Sequence, residues 1–453
     1  MITAKAFSGK HYAVLGLARS GLATVEALLA SGARVTAWDS NPEAVENLRL
    51  SRAKSRDVGE GVSTSLDTNG LGFTDLDEVD LAQFDSIVVT PGLPLNRHPI
   101  AQRASDAGVE IIGDVELFAR ARAELPPHKV VGITGTNGKS TTTALIHHIL
   151  QTAGVPSLMG GNIGLPILSQ DPLPAGGVYV LELSSYQIDL TQSLDCDVAV
   201  LLNITPDHLD RYESFEAYAA SKARLFEMQV PLDHYSDGIP LAVSSDDATK
   251  RIGVDWGAIE IGADYLDPEI FGEQASWPSL QGPHNYLNAA AAAAAVFYAE
   301  IVNYGAVRQA LRTYPGLSHR MERVRDMDGV LFVNDSKATN AEAAAPALAA
   351  YPKVRWIVGG QAKGETLGDT GRHLDHVVAA YTIGEAGPMF ARLLREAGVT
   401  VIECETLENA VKRAAEDSQP GETVLLSPAS ASFDQFKDFE ERGDKFREHV
   451  GAL

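Results

Sequence analysis

Short apolar runs, each closed by glycine, proline or a small polar residue and followed by a helix-period segment, recur along the whole chain. The first is Tyr12-Ala13-Val14-Leu15, which leads into Gly16-Leu17-Ala18-Arg19-Ser20-Gly21 and a helical pattern through Leu29. A second run over 34–38 ends at Asp39. Strand, glycine turn, helix and strand in that order predict a Rossmann-like β-α-β unit. Further strands are expected over 86–89, ending in Thr90-Pro91-Gly92, and over 109–112, with a helix near Glu116-Leu117-Phe118. The polar residues 52–69 read as loops with weak elements. Glu124-Leu125-Pro126-Pro127-His128 reads as a linker.

The same alternation resumes after the linker. Strands are expected over 178–183 and 198–203, and helices near 215–227 and 287–300. A third segment begins near Tyr314-Pro315-Gly316, with strands over 330–333, 354–358, 381–384 and 423–427. Alternating strands and helices predict parallel sheets covered by helices on both faces. The expected architecture is α/β in three domains. They are a Rossmann-like domain over 1–125, a central P-loop domain over 126–314 and a second Rossmann-like domain over 315–453. The alanine-rich run 289–299 is too short for a membrane span, which needs about 20 residues, and reads as a packing helix.

The richest stretch is Gly135-Thr136-Asn137-Gly138-Lys139-Ser140-Thr141-Thr142-Thr143, between the apolar run Val130-Val131-Gly132-Ile133 and a helical segment. A glycine turn at a helix N-terminus presents several backbone N–H groups around one centre, which suits a polyphosphate. Lys139 would reach the β- and γ-phosphates, and the Ser140 and Thr141 hydroxyls would hold Mg²⁺. The strict pattern G-x-x-x-x-G-K-[ST] is not met, since its first glycine falls on Ile133. An ordinary glycine turn is the alternative.

Gly16 to Gly21 resembles the dinucleotide fingerprint, with Asp39 following, but Ala18 stands where the middle glycine lets a pyrophosphate approach. This argues against a nicotinamide cofactor and leaves another nucleotide, a uridine-type ligand or a structural turn. Glu182 interrupts an apolar strand near its C-terminal end, where side chains face the ligand crevice, and is placed to hold Mg²⁺ or to cap the next helix. His208, in Thr205-Pro206-Asp207-His208-Leu209-Asp210, sits just past the next strand on the same rim. Lys222 shares a helix face with Phe215, Tyr218, Ala219 and Phe226. A lysine on an apolar face has its pKa lowered by burial. Its neutral amine could react with CO₂ to give an anionic carbamate. The other reading is a lysine whose tip snorkels into water.

Composition narrows the classes. With 60 acidic and 37 basic residues the chain carries a formal charge of −23, which argues against nucleic acid and anionic membranes as partners. Only Cys196 and Cys404 occur, which fits a reducing compartment such as the cytoplasm. The N-terminal residues lack the apolar core of a secretion signal.

Taken in order, Thr134 to Thr141, Glu182-Leu183-Ser184-Ser185, Asp207-His208-Leu209-Asp210, Gly282-Pro283-His284-Asn285-Tyr286-Leu287-Asn288 and His319-Arg320 resemble the Mur ligase family, which includes folylpolyglutamate synthases. Gly160-Gly161-Asn162-Ile163-Gly164, Asn334 to Asn340 and Ser427 to Phe436 resemble the members that add D-glutamate. The resemblance implies an ATP-dependent ligase of peptidoglycan precursor synthesis. It implies two Mg²⁺ ions, one near Ser140, Thr141 and Glu182, the other held by His208 and carbamylated Lys222. ATP would meet residues 135–141, Asn285, Asn288, Arg320 and Asp335. A UDP-linked substrate, UDP-N-acetylmuramoyl-L-alanine, would meet Arg19, Ser20, Asp39, Ser40, Thr90, Pro91, Gly92 and Asn162. D-glutamate would meet Thr339, Lys363, Ser432, Phe433 and Phe439. Lys139, His208 and Lys222 would carry the chemistry, with small molecules as the only expected partners and a monomer as the working state. Another amino-acid ligase of the family and a P-loop ATPase switch are the rival readings.

Overall fold

A computed structural model describes residues 1–54, 70–207, 210–229, 238–243, 246–362 and 364–453. His208 and Lys363 therefore lie outside the described residues. Three sheets carry the chain. The first comprises β1 (His11–Leu15), β2 (Arg34–Trp38), β3 (Leu71–Phe73), β4 (Ser86–Val89) and β5 (Ile111–Ile112), in the order β3-β2-β1-β4-β5. Every pairing is parallel. All five residues of β1 are buried, as expected of a central parallel strand covered on both faces. The chain moves outward from β1 to β3 and then returns to β4. That reversal opens a crevice beyond the carboxyl ends of β1 and β4.

The second sheet comprises β6 (His128–Thr134), β7 (Ser157–Gly161), β8 (Gly177–Glu182), β9 (Val198–Leu201), β10 (Ile239–Val243) and β11 (Ile259–Ile261). Its order is β11-β10-β9-β6-β8-β7, again parallel throughout. Here the strand order reverses between β6 and β9. Strands β7, β10 and β11 were not expected from the pattern: β7 ends in two glycines and β10 contains Pro240.

The third sheet comprises β12 (Glu322–Met327), β13 (Val330–Asn334), β14 (Val354–Gly359), β15 (Val377–Ile383), β16 (Val401–Glu405) and β17 (Thr423–Leu426). Its order is β12-β13-β17-β14-β15-β16. One pairing departs from the expected parallel sheet, since β12 runs antiparallel to β13. As an edge strand, β12 tolerates the polar sequence Glu-Arg-Val-Arg-Asp-Met and alternates in exposure, so it has no apolar signature.

The described residues form two compact units. One comprises Met1–Gly262 with Ala291–Asn303, and the other Ala263–Ala290 with Tyr304–Leu453. In the first unit a single buried apolar cluster runs from Ile2 through Val14, Phe118 and Val130 to Phe226, so the first two sheets share a core. The linker is tied down there. The Glu124 carboxylate accepts from the backbone N–H of Lys5 and Ala6 at 2.8 and 2.9 Å. The alanines at 289–295 are fully buried, as expected for a packing helix. No helix of the described residues is long and apolar enough to cross a membrane.

Candidate active site

The turn after β6 is built as the glycine pattern requires. Gly135 has φ +151° and Gly138 φ +85°, both unfavourable for a side chain. Gly138 caps the helix Lys139–Thr152. The turn is braced by the segment after β9. The N–H of Thr136 donates to the Asn203 carbonyl, and that of Asn137 to Asn203 Oδ1, each at 2.8 Å. Asn203 Nδ2 returns a bond to the Asn137 carbonyl. Asn203 was not singled out from the sequence. Its position at the end of the expected strand 198–203 was the one available hint.

Two lysines converge on this turn. Lys139 Nζ donates to the carbonyls of Gly135 and Thr136 at 2.9 and 2.7 Å. Lys222 Nζ donates to the same Gly135 carbonyl at 2.9 Å and lies 4.6 Å from the ring centre of Tyr218. Lys222 is buried, at 2 % exposure, so its tip does not snorkel into water. Burial, and then the neighbouring Lys139 charge, push its pKa down to about 6, against smaller opposing effects of Asp207 and Asp189. Tyr218 also ties the helix Phe215–Glu227 to the turn through a hydroxyl contact with Thr136 Oγ1 at 3.0 Å.

Glu182 ends β8, in register with Ile133 of β6 and Gly161 of β7. Its carboxylate does not cap the next helix. Ser184 and Gln187 do so through a capping box. Oε1 accepts from Asn162 Nδ2 at 3.0 Å, while Oε2 is buried without a hydrogen-bond partner among the described residues. A buried, orphaned carboxylate oxygen is costly unless something else satisfies it. It sits beside the strand that delivers Ser140 and Thr141, and a hard oxygen-seeking cation such as Mg²⁺ fits that donor chemistry. Among the described residues no group of three or more His, Cys, Asp or Glu side chains could hold a metal.

In the first sheet a cleft of ≈ 570 Å³ opens at the crevice between β1 and β4. Its lining includes Gly16, Trp38, Asp39, Ser40, Thr90 and Gly92. Gly16 is required there, because at φ +99° a Cβ would come within 2.6 Å of Thr90 Oγ1. Asp39 spends both carboxylate oxygens on the loop, accepting from the N–H of Leu17 at 2.6 Å and of Asn41 at 2.8 Å. Arg19, Ser20, Pro91 and Asn162 are not among the lining residues. Arg19 instead reaches the Gly164 carbonyl at 3.3 Å. Arg211, unflagged by the sequence pattern, donates to the carbonyls of Gly92 and Leu93 at 3.3 and 2.7 Å. Its guanidinium stacks on Tyr186, 4.3 Å from the ring centre.

The second unit gathers the remaining described candidates in two groups. Asn285 and Asn288 bond to each other at 3.1 Å, and Asn285 donates to the Gln281 carbonyl. Arg320 sits between two residues of positive φ, His319 at 60° and Met321 at 48°, a backbone strain found at functional sites. Asp335 is buried and pushed up to about 7 by desolvation. It accepts from Ser427 Oγ and from the Met321 N–H. The loops after β13, β14 and β17 come together, since these strands are neighbours in the sheet. They carry Thr339 and Ser432. Ser432 is buried, whereas Phe433 is 69 % exposed. Phe439 has Lys337 Nζ 4.0 Å from its ring centre and His319 edge-on at 6.3 Å. Lys337 lies within the Asn334 to Asn340 motif, and the resemblance implies no role for it.

Three sequence families match in order along the chain: the MurD-like N-terminal domain of Mur ligases over residues 10–113, the Mur ligase middle domain over 133–251, and the Mur ligase glutamate ligase domain over 319–430. The UDP-N-acetylmuramoylalanine–D-glutamate ligase of Novosphingobium aromaticivorans is 56 % identical, over 100 % of this chain and 97 % of that protein. The enzyme of the same name from Zymomonas mobilis is 53 % identical over 100 % of both. Among solved structures, the UDP-N-acetylmuramate-alanine ligase MurC of Thermotoga maritima superposes with TM-score 0.56 at 16 % identity, covering 98 % of this chain and 99 % of that one. The MurF ligase of the same organism in complex with ADP gives 0.55 at 16 %, covering 98 % and 96 %. The three-domain α/β fold is thus the one those ligases have, and the chain belongs to the Mur ligase family.

Proposed function

We propose that this chain is the ATP-dependent ligase that joins D-glutamate to UDP-N-acetylmuramoyl-L-alanine, a cytoplasmic step in making the peptidoglycan precursor. The substrates follow from the relatives named for that reaction, at 56 % and 53 % identity over the whole chain. The observation that carries the chemistry is the cation of Lys139 on the carbonyls of the glycine turn, with the buried amine of Lys222 on the same Gly135 carbonyl. A phosphoryl group transferred between two anions needs positive charge and alignment above all.

In this reading the carboxylate of the L-alanyl group attacks the γ-phosphorus of ATP, and ADP leaves. The acyl phosphate formed is then attacked at its carbonyl carbon by the amine of D-glutamate. The amine loses a proton, phosphate departs, and the amide remains. Lys139 leaves its loop carbonyls to hold the γ-phosphate oxygens. Ser140, Thr141 and Glu182 would hold one Mg²⁺, and His208 with carbamylated Lys222 a second. Bound Mg²⁺ would neutralise charge on the phosphates. Residues 135–141 would cradle the phosphates, and Asn285, Asn288, Arg320 and Asp335 would meet the adenosine. The 570 Å³ cleft would take the uridine end of the substrate through Ser40, Thr90 and Gly92, with Asp39 ordering the loop. Arg19, Ser20, Pro91 and Asn162 would extend toward the rest of that substrate. Thr339, Lys363, Ser432, Phe433 and Phe439 would hold D-glutamate. The corresponding domains are 1–125, 126–314 and 315–453. The working chain is a monomer, and none of its partners is a nucleic acid.

Phosphate release from ATP, measured across a matrix of UDP-muramoyl substrates and amino acids, tests the reading. Release only when UDP-N-acetylmuramoyl-L-alanine and D-glutamate are both present supports it. Release with neither would favour an ATPase switch, and release with another amino acid would favour another ligase of the family.

A further inference from the structure

Arg442 lies in the first turn of the helix Phe439–Gly451, within a polar run, yet its side chain is fully buried. Every hydrogen bond it makes among the described residues is to a neutral oxygen. Nε donates to Ser336 Oγ at 2.9 Å and Nη2 to the Ser336 carbonyl at 2.8 Å. Nη1 donates to the carbonyls of Ser430 and Ala431 at 3.0 and 3.3 Å. Among the described residues it forms no ion pair, and Asp434 acts on it only through space. Burial pushes its pKa down to about 10, so it stays charged at neutral pH. A buried cation without an anion is expensive, and a fold keeps one where the charge has a use.

Its neighbours indicate that use. Ser336 belongs to the loop after β13, which carries Thr339. Ser430 and Ala431 belong to the loop after β17, which carries Ser432. Ala431 also exchanges both backbone bonds with Gln361, each at 2.9 Å, so the loop after β14 joins the same knot. Gly360 of that loop, at φ +131°, leaves no room for a side chain: a Cβ would come within 2.3 Å of the Ala431 carbonyl and 3.1 Å of Arg442 Nη1. Phe439 is three residues before Arg442, and its carbonyl accepts from Ser336 Oγ at 2.8 Å.

We propose that Arg442 is a positioning residue for the acceptor amino acid. One buried guanidinium sets the register of the three loops, and it lends the acceptor's carboxylates a positive charge that no ion pair among the described residues engages. This rests on the reading that D-glutamate binds those loops. A planar fork with fixed donors suits the first task, and weak screening in the interior suits the second.

The test is steady-state kinetics of wild type, Arg442→Lys, Arg442→Met and Ser336→Ala, varying each substrate in turn, with folding followed by calorimetry. Arg442→Met should raise the KM for D-glutamate by about tenfold or more, the scale of a charge-assisted contact, and leave the KM of ATP and of the UDP substrate within about threefold. Arg442→Lys should recover part of the loss. A purely structural arginine would lower the unfolding temperature and move all three KM values alike. A folded Arg442→Met enzyme with unchanged KM for D-glutamate, or with all three raised equally, overturns the proposal. Should Arg442→Met not fold, Ser336→Ala decides, since it removes one acceptor and leaves the cation in place. A selective rise in the KM for D-glutamate supports the inference, and no change refutes it. Wild-type protein that releases no phosphate in response to D-glutamate would overturn the functional reading itself, which the variants do not address.

Discussion

Carbon dioxide should add to Lys222 at neutral pH, and the pH profile of that addition reports how the fold has tuned the amine. Only the neutral amine attacks: an N–C bond forms, a proton leaves, and a carbamate anion remains. A lysine at the ordinary value of 10.5 is neutral in roughly 0.03 % of molecules at about pH 7, whereas one at pKa 6 is neutral in roughly 90 %. Burial and Lys139 bring Lys222 to about 6, so its reactive fraction is larger by roughly three thousand-fold. The assay keeps dissolved ¹³CO₂ constant, traps carbamate at early times with an oxonium alkylating reagent, and reads the Lys222 peptide by mass spectrometry. The initial rate should rise with a half-point near pH 6 and then level off, with no label in Lys222→Arg. A half-point near pH 10, or no label on the wild-type peptide, refutes the argument.

The same shift has a stability signature whose sign is fixed. The folded chain binds the Lys222 proton more weakly than the unfolded chain. The cost of burying the amine is therefore fully present below about pH 6 and fades as pH rises toward the ordinary lysine value. In CO₂-free buffer, Lys222→Met should gain more thermal stability over wild type at about pH 6.5 than at about pH 9. An equal gain at both would mean that Lys222 is not tuned by burial.

Lys139→Ala should cost about 10³-fold or more in turnover while the fold stands, since the ammonium serves phosphate charge rather than packing; loss of the folded state at wild-type conditions would show the opposite. Gly16→Ala should raise the KM for the UDP substrate and cost about 1–3 kcal/mol of stability, because its Cβ would strike Thr90 from a left-handed backbone. An alanine enzyme equal to wild type in both would refute that account of the loop.

Legibility in the sequence followed the range of the physics. The glycine turn at 135–138 was readable because left-handed backbone and a helix N-terminus are local requirements. The burial of Lys222 was readable because a helix puts Tyr218 and Phe226 on its face at a fixed period. Edge strand β12 was not, since a strand exposed on one side needs no apolar run. Asn203 gains its role only when the segment after β9 meets the turn after β6, and Arg211 only when that segment meets the one after β4; nothing in their neighbours' identities announces that.

Arg442 is the sharpest case, because its local sequence points the wrong way. Phe439-Glu440-Glu441-Arg442-Gly443-Asp444 reads as a solvated helix start, and an arginine there is ordinarily exposed. One residue dissents. Gly443 in a helix interior costs stability relative to alanine, so it must be doing something a methyl group would prevent. The structure gives the reason: a Cβ at Gly443 would lie 2.0 Å from His319 Nδ1. The helix is drawn tightly against the His319-Arg320 turn, and Asn334 holds the approach by bonding both His319 Nδ1 and the Gly443 carbonyl. That close packing puts the preceding residue's guanidinium inside, among the loops after β13 and β17. A glycine in the first turns of a charged helix is therefore a sequence-level sign of intimate packing, and it makes the neighbouring charge a candidate for burial and for function.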